Sequence, residues 1–232
     1  MVLKDNLVAY YKLDESSGDA ADSVGSNTLT NSNVTYVASK IKKGGAFNGS
    51  SSTLYKSSFS SGITNVVTIS CWVKITDSTT QRVVLSFGKD AGGSGIALFA
   101  YGFSTLNYKF FFEFGSGSGR VLTTTTPSVD TWYHLAVTAD GTNIKIYLNG
   151  LLENTVGTAG SVASSGAAIS LGSLLSSNTP PAPTTYYHNG GLDEVGIWSR
   201  ALSAAEILAL YNAYLGTQFP FNKEASFLLN FI

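Results

Sequence analysis

Oxygen-bearing side chains crowd one short stretch near the start of the chain. "DAADSVGSN" places Asp19, Asp22, Ser23, Ser26 and Asn27 within nine residues, and Gly25 lets the backbone turn and aim carbonyls inward. Calcium takes six to eight oxygens from carboxylates, amides and backbone carbonyls, more than one loop easily supplies. The stretch is therefore either part of a cation site or a set of turns in which Asp22 and Asn27 cap their own backbone. A second candidate is aromatic. Tyr186, Tyr187 and His188 follow one another in a loop, with Tyr101 and Tyr108 as further tyrosines. Sugars stack their apolar ring faces on such side chains, and loop aromatics at the edge of a rigid scaffold build a platform for them; packing is the alternative use.

Catalysis needs more than this sequence offers. Glycoside hydrolysis takes two carboxyl groups about 5 Å apart for retention or about 6.5–9.5 Å apart for inversion. The glutamates, at 15, 113, 153, 194, 206 and 224, are dispersed, and Glu113 in "FFFEFG" has no acidic neighbour in sequence. His134 alternates with Tyr133 in a strand-like run, as a sheet histidine would. Spacing argues no Ser-His-Asp set, no H-E-x-x-H and no cysteine pair for zinc. Cys71 is the one cysteine, in an alternating apolar run, so it reads as a small core residue. The glycine runs "GGSG" and "GSGSG" lack the lysine and following helix of a phosphate loop. No catalytic residues are expected, and the protein is read as a non-enzyme.

Composition narrows the partners. Charged residues make up 12% of the 232 and the net charge is −1, with lysines scattered apart from Lys40, Lys42 and Lys43, so no basic stripe awaits nucleic acid. The apolar tract "ASFLLNFI" is too short to span a bilayer, so no membrane insertion is expected. "MVLKDNLVAYYKLDE" lacks a basic start and an apolar signal core. That points to a virion component released by lysis or to a piece of a longer exported chain.

The elements that must position these residues are strands. In "VVTISCWVKI", Ile69, Cys71, Val73 and Ile75 alternate with Thr68, Ser70, Trp72 and Lys74, the period of a strand with one core face. "YKFFFEF" reads similarly. From Trp132 onward three strands are joined at Asp140-Gly141 and Asn149-Gly150, dipeptides that tolerate the positive φ of tight hairpins. Ile144, Ile146 and Leu148 should face the core, with Lys145 and Tyr147 opposite. A helical period begins only at residue 203, where Ser203 and Glu206 make a capping box; Ile207, Leu208, Leu210 and Tyr211 share one side and should cover the end of the sandwich. The prolines at 180, 181 and 183 mark a surface excursion. Residues 216–232, "GTQFPFNKEASFLLNFI", form an apolar appendage that needs a docking partner.

Five blocks in order resemble the laminin-G-like, concanavalin A-like jelly-roll family found in bacterial surface proteins, glycosidase-attached modules and phage tail or capsid-surface proteins. They are "LVAYYKLDESSGDAADSVGSN", "GGAFNGSSSTLY", "TISCWVK", "TWYHLAVTADGTNIKIYLNG" and "GGLDEVGIWSRALSAAEILALY". Gly196, Tyr11 and His188 depart from the family pattern. The resemblance implies an all-β fold, a jelly-roll β-sandwich of two antiparallel sheets with one short C-terminal helix and adjacent first and last strands. It would bring Asp193 beside the Asp22–Asn27 loop, where some relatives carry a structural Ca2+, and it makes Trp72, Trp132 and Trp198 core residues. The family's glucanases carry an E-x-D-x-x-E strand that is absent here.

The resulting expectation is one jelly-roll domain over residues 1–215 and a docking tail over 216–232. Its function would be non-catalytic carbohydrate binding or adhesion toward cell-surface or matrix glycans, with sugar contacts at Tyr186, Tyr187 and His188. It would be displayed on a virion, as a capsid decoration, fibre or tail component, or on a cell surface. Other virion proteins or a second copy would meet the tail. The alternative is a purely structural virion assembly protein, and a glycoside hydrolase is the remote third.

Overall fold

A computed structural model of the chain describes residues 2–59, 62–78, 80–89, 94–101, 108–114, 119–157, 167–175, 183–212 and 219–221. Two antiparallel sheets pack face to face. In the first, β6 (Val66–Ile75) lies between β11 (Trp132–Asp140) and β17 (Asn189–Trp198). The sheet continues from β11 through β12 (Asn143–Leu148) to β13 (Leu151–Gly157), and from β17 to β4 (Lys43–Asn48) and β3 (Thr35–Ala38). The first strand, β1 (Leu7–Tyr11), pairs with the second half of β17, so the first and last strands are adjacent as expected. The hairpin between β12 and β13 turns on Asn149 at φ 52° and Gly150 at φ 80°, the two positive values of a tight two-residue turn.

The second sheet runs in the order β10 (Gly119–Leu122), β9 (Phe111–Phe114), β8 (Ser94–Tyr101), β7 (Arg82–Lys89), β14 (Ile169–Leu171), β5 (Thr53–Lys56) and β2 (Thr30–Ser32). A short pair, β15 (Leu174–Leu175) with β16 (Pro183–Thr185), leads back toward β17. Between the sheets sit Ile69, Cys71, Val73, Ile75, Ile144, Ile146 and Leu148, as alternation requires, against Leu54, Phe59, Phe87, Phe112 and Phe114.

Beyond that core, the first sheet's other face is covered too. Trp198, Tyr147, Tyr10 and Ala136 form a second apolar cluster with Leu3, Leu202, Ile207, Leu210 and Phe221. Helix α1 (Ala204–Tyr211) starts at the expected capping box, with Ser203 Oγ accepting from Glu206 N–H and Glu206 Oε2 accepting from Ser203 N–H. It lies on this outer face and not at the sandwich end; Ile207 and Leu210 are buried while Leu208 stays 37% exposed. Within the expected tail, Phe219 stacks on Tyr10 at 5.0 Å and Phe221 meets it edge-on at 5.4 Å. At least that part of the tail packs on its own chain. Residues 213–218 and 222–232, on which the rest of the docking expectation falls, lie outside the described residues.

Candidate functional site

The oxygen-rich loop resolves into turns. Asp22 accepts from the N–H groups of Tyr10 and Val24 on Oδ1 and from that of Asn27 on Oδ2, at 3.0–3.1 Å. Asn27 is buried, and its carbonyl oxygen accepts the Tyr11 hydroxyl at 2.7 Å. Asp193 is held elsewhere: Ile41 N–H donates to its Oδ2 at 2.8 Å, and its Oδ1 has no hydrogen-bond partner. Burial, reinforced by the adjacent Glu194 charge, pushes its carboxyl up to about 8 against the pull of the Ile41 N–H. Asp22 is thus engaged by backbone N–H groups of its own loop and of Tyr10, and Asp193 by Ile41; no described hydrogen bond links Asp22, Asn27 and Asp193 beyond the Asn27 N–H to Asp22. Among the described residues no three His, Cys, Asp or Glu side chains gather as a metal-binding group.

Tying the two chain ends together, the task that a cation there would perform, falls instead to Arg200. Its guanidinium donates to the carbonyl oxygens of Asp5 (2.8 Å) and Val2 (3.2 Å) and to both oxygens of Glu206 (2.6 and 3.0 Å). Trp198 Nε1–H adds a bond to the Leu3 carbonyl at 2.7 Å. The planar fork suits several acceptors at once.

On the same sheet the register of β6 and β11 brings Ser70 Oγ within 2.9 Å of His134 Nε2, a pairing that sequence spacing did not reveal. The pair has the groups of a nucleophile and base but not their setting. Both residues are buried, and His134 Nδ1 has no orienting partner among the described residues. Desolvation lowers the imidazole to about 3, far below the range of a useful base. Tyr10 hydroxyl donates to Glu194 Oε2 at 2.5 Å nearby, and burial raises both groups above their usual values. The recess these residues line with Ile41, Trp72 and Leu210 has room for about one water molecule. Trp132 differs from the other two tryptophans: it is half-exposed, its ring lying on Gly191, where a Cβ would come within 2.5 Å of it.

On the second sheet's outer face the aromatic loop is split. His188 is fully buried, edge-on to Phe47 at 5.7 Å with Nε2 3.4 Å from the Gly191 carbonyl, and desolvation lowers it to about 4. It is a core residue and cannot serve as a sugar platform. Tyr186 and Tyr187 remain half-exposed. Tyr186 packs on Val83, Ala97 and Phe111, a small apolar cluster on the outer side of β7, β8 and β9. It does so at φ 59°, an uncommon conformation for a bulky residue. The bond from Val83 N–H to its carbonyl, 3.0 Å, holds it there. Such outliers persist where surrounding structure over-determines them, often at ligand sites.

Arg82, missed by sequence reasoning, fixes the neighbouring loops. It donates to the carbonyls of Tyr187 (2.8 Å) and Gly49 (3.1 Å) and pairs with Asp77 at 2.5 Å, which also accepts from Asn189 Nδ2 at 2.8 Å. Glu113, which the sequence left without an acidic neighbour, is paired with a base: Arg120, opposite it in register, donates to Glu113 Oε2 from Nε (2.8 Å) and Nη2 (2.5 Å). Tyr101 has no described side chain, and Tyr108 is 38% exposed.

The model of the concanavalin A-like lectin/glucanases superfamily matches residues 47–208. No curated protein matches the chain by sequence. Among solved structures, domain 4 of AbnA, a GH43 extracellular arabinanase from Geobacillus stearothermophilus in complex with arabinotriose, superposes with a TM-score of 0.69 at 24% identity, over 89% of this chain and 98% of that one. Trypanosoma rangeli sialidase gives 0.68 at 14% identity, covering 94% of this chain but only 34% of the sialidase. The botulinum neurotoxin serotype D binding domain gives 0.66 at 13%, with 90% of this chain and 52% of that one covered. At these identities the likeness is one of fold.

Proposed function

Since the chain belongs to the concanavalin A-like lectin/glucanases superfamily, we propose that it is a non-catalytic glycan-binding module whose site lies on the outer face of the second sheet around Tyr186 and Tyr187. The carrying observation is Tyr186: a half-exposed aromatic ring in an unusual backbone conformation, seated on the Val83–Ala97–Phe111 patch. A ring held in place loses little entropy when a sugar stacks on it. The Arg82–Asp77–Asn189 network fixes the loop that carries both tyrosines. Similarity of fold to a domain crystallised with arabinotriose supports a sugar as ligand.

A non-enzymatic role is supported by Glu113, the one carboxylate of β9, lying in an ion pair, and by the burial of the Ser70–His134 pair. Glycan binding suits display on a virion or cell surface, and residues beyond Phe221 remain proposed as a contact for other virion proteins or a second copy. A glycan array on the purified chain tests the binding reading. Wild type should bind, and Tyr186→Ala and Tyr187→Ala should weaken binding at least about tenfold, the loss of about 1.4 kcal/mol, without lowering the melting temperature markedly. Unchanged binding in both variants would move the site elsewhere.

A further inference from the structure

The loop that follows β4 is locked against the loop that carries the tyrosines. Gly49 N–H donates to the His188 carbonyl at 2.8 Å, and Arg82 donates to the carbonyls of both Gly49 (3.1 Å) and Tyr187 (2.8 Å). Gly49 sits at φ 75°, and a Cβ there would come within 2.9 Å of Asn189, so a glycine is what permits this approach. The loop is also stiff in itself. Asn48 Oδ1 accepts from the N–H groups of Ser50, Ser51 and Ser52 at 2.9–3.2 Å, and Ser52 Oγ accepts from Asn48 N–H at 3.0 Å while donating to the Asn33 carbonyl at 3.1 Å. Its outward groups are hydroxyls: Ser50 is exposed and Ser51 half-exposed. Ser50 Oγ donates to Asn48 Oδ1 at 3.2 Å, which leaves its lone pairs outward, and Ser51 Oγ accepts from Asn48 Nδ2 at 3.1 Å, which leaves its O–H without a bond to a described residue.

We infer that the Asn48–Ser51 loop is the specificity-determining part of the glycan site, with the Ser50 and Ser51 hydroxyls bonding hydroxyls of the sugar unit next to the one stacked on Tyr187. This rests on the binding reading above and names the residues that would choose among its ligands. A sugar hydroxyl both donates and accepts, so an acceptor and a donor fixed side by side meet two such hydroxyls in one geometry. Stacking on a tyrosine ring needs only an apolar ring face and tolerates many sugars. Hydrogen bonds from placed hydroxyls do not, because a stereoisomer leaves the protein groups unpaired. Affinity then comes from the tyrosine and discrimination from the serines.

The test uses the full chain with arabinotriose, cellotriose, maltotriose and sialyllactose, which differ in ring type, linkage and hydroxyl arrangement, and reads the dissociation constant of each by calorimetry. The double variant Ser50→Ala/Ser51→Ala should lose at least about tenfold on the tightest ligand, about the contribution of two hydrogen bonds. On the weakest ligand that binds it should lose less than about twofold, so the spread across the set narrows. Tyr187→Ala should weaken every member by a similar factor and leave the spread in place. Both serine changes keep Asn48 and its three backbone contacts, so the loop holds its shape, and an unchanged melting temperature checks this. A wild-type spread in the double-serine variant overturns the inference, while binding that still depends on Tyr187 leaves the binding reading standing. No binding by wild type to any member overturns both.

Discussion

The two outer faces of the sandwich are built from similar residue types and end in opposite states. Against the first sheet lie Trp72, Trp198, Tyr10, His134, Ser70, Asp193 and Glu194, all buried under the N-terminus, α1 and Phe219–Phe221. On the second sheet Phe111, Glu113 and Arg120 are arranged around Tyr186 with an arginine edge and a tyrosine ring still reaching solvent. Polar and aromatic groups do not by themselves make a site. On the first face they are covered and their charges suppressed, with His134 near 3 and Asp193 near 8, so they hold structure. On the second the floor residues Val83, Ala97 and Phe111 are buried as well, while Arg120, Tyr186 and Tyr187 keep partial exposure.

Breaking the covered face should cost stability most. Trp198 is fully buried, so Trp198→Ala should lose about 3–5 kcal/mol in denaturant unfolding, while glycan binding by the folded fraction stays intact. Arg200→Met, which removes the clasp between residues 2–5 and α1, should cost about 1.5–2 kcal/mol because it takes a charged donor from part-buried carbonyls and from Glu206. Equal stability in either variant would mean that the cover is not what holds this face.

The next effect is electrostatic. Asp193 titrates at about 8 in the folded chain and at about 3.9 when unfolded, so the folded state binds more protons. Its contribution is complete at low pH and is lost as pH rises toward 8. His134 and His188, at about 3 and 4, act the other way, up to and around the unfolded histidine value of about 6.5. The opposing histidine effect fades only about one pH unit above 6.5, so stability should fall between about pH 7.5 and 8 at a slope below about 1.4 kcal/mol per pH unit, the raised Glu194 acting in the same direction, and level off above it. Asp193→Asn should flatten the slope; an unchanged slope would place its origin elsewhere. Smallest of all should be the response to calcium: a chelator should leave the melting temperature unchanged, since without a bound ion there is no linkage free energy to lose. A large drop that Asp22→Asn abolishes would restore the cation site.

The fold was legible where local rules act alone. Alternation in residues 66–75, the two positive-φ residues at Asn149-Gly150 and the capping box at Ser203 each depend on a few adjacent residues. What escaped depends on parts distant in sequence. β6 looks like a strand with one core face, yet it is buried on both sides, because alternation does not say whether a second layer arrives. Ser70 and His134 meet only through the β6–β11 register, and Arg120 finds Glu113 across a hairpin whose intervening residues gave no register. His188 was misplaced for a related reason: beside two tyrosines it reads as part of a loop, but its place just before β17 turns it inward against Phe47. Tyr186 stands out from its residue type and loop position, but the patch on which it packs depends on Val83, Ala97 and Phe111, which come from three separate strands.

The central claim is that ligand binding belongs to the open face and not to the covered one. Backbone amide shifts of isotope-labelled protein, followed as the tightest-binding oligosaccharide is added, test it most directly. The account predicts perturbations grouped at Val83, Ala97, Phe111, Arg120, Tyr186 and Tyr187, with Trp72, His134, Trp132 and Tyr211 unmoved. Perturbations centred on the latter group would show that the covered face opens to ligand and would contradict the account.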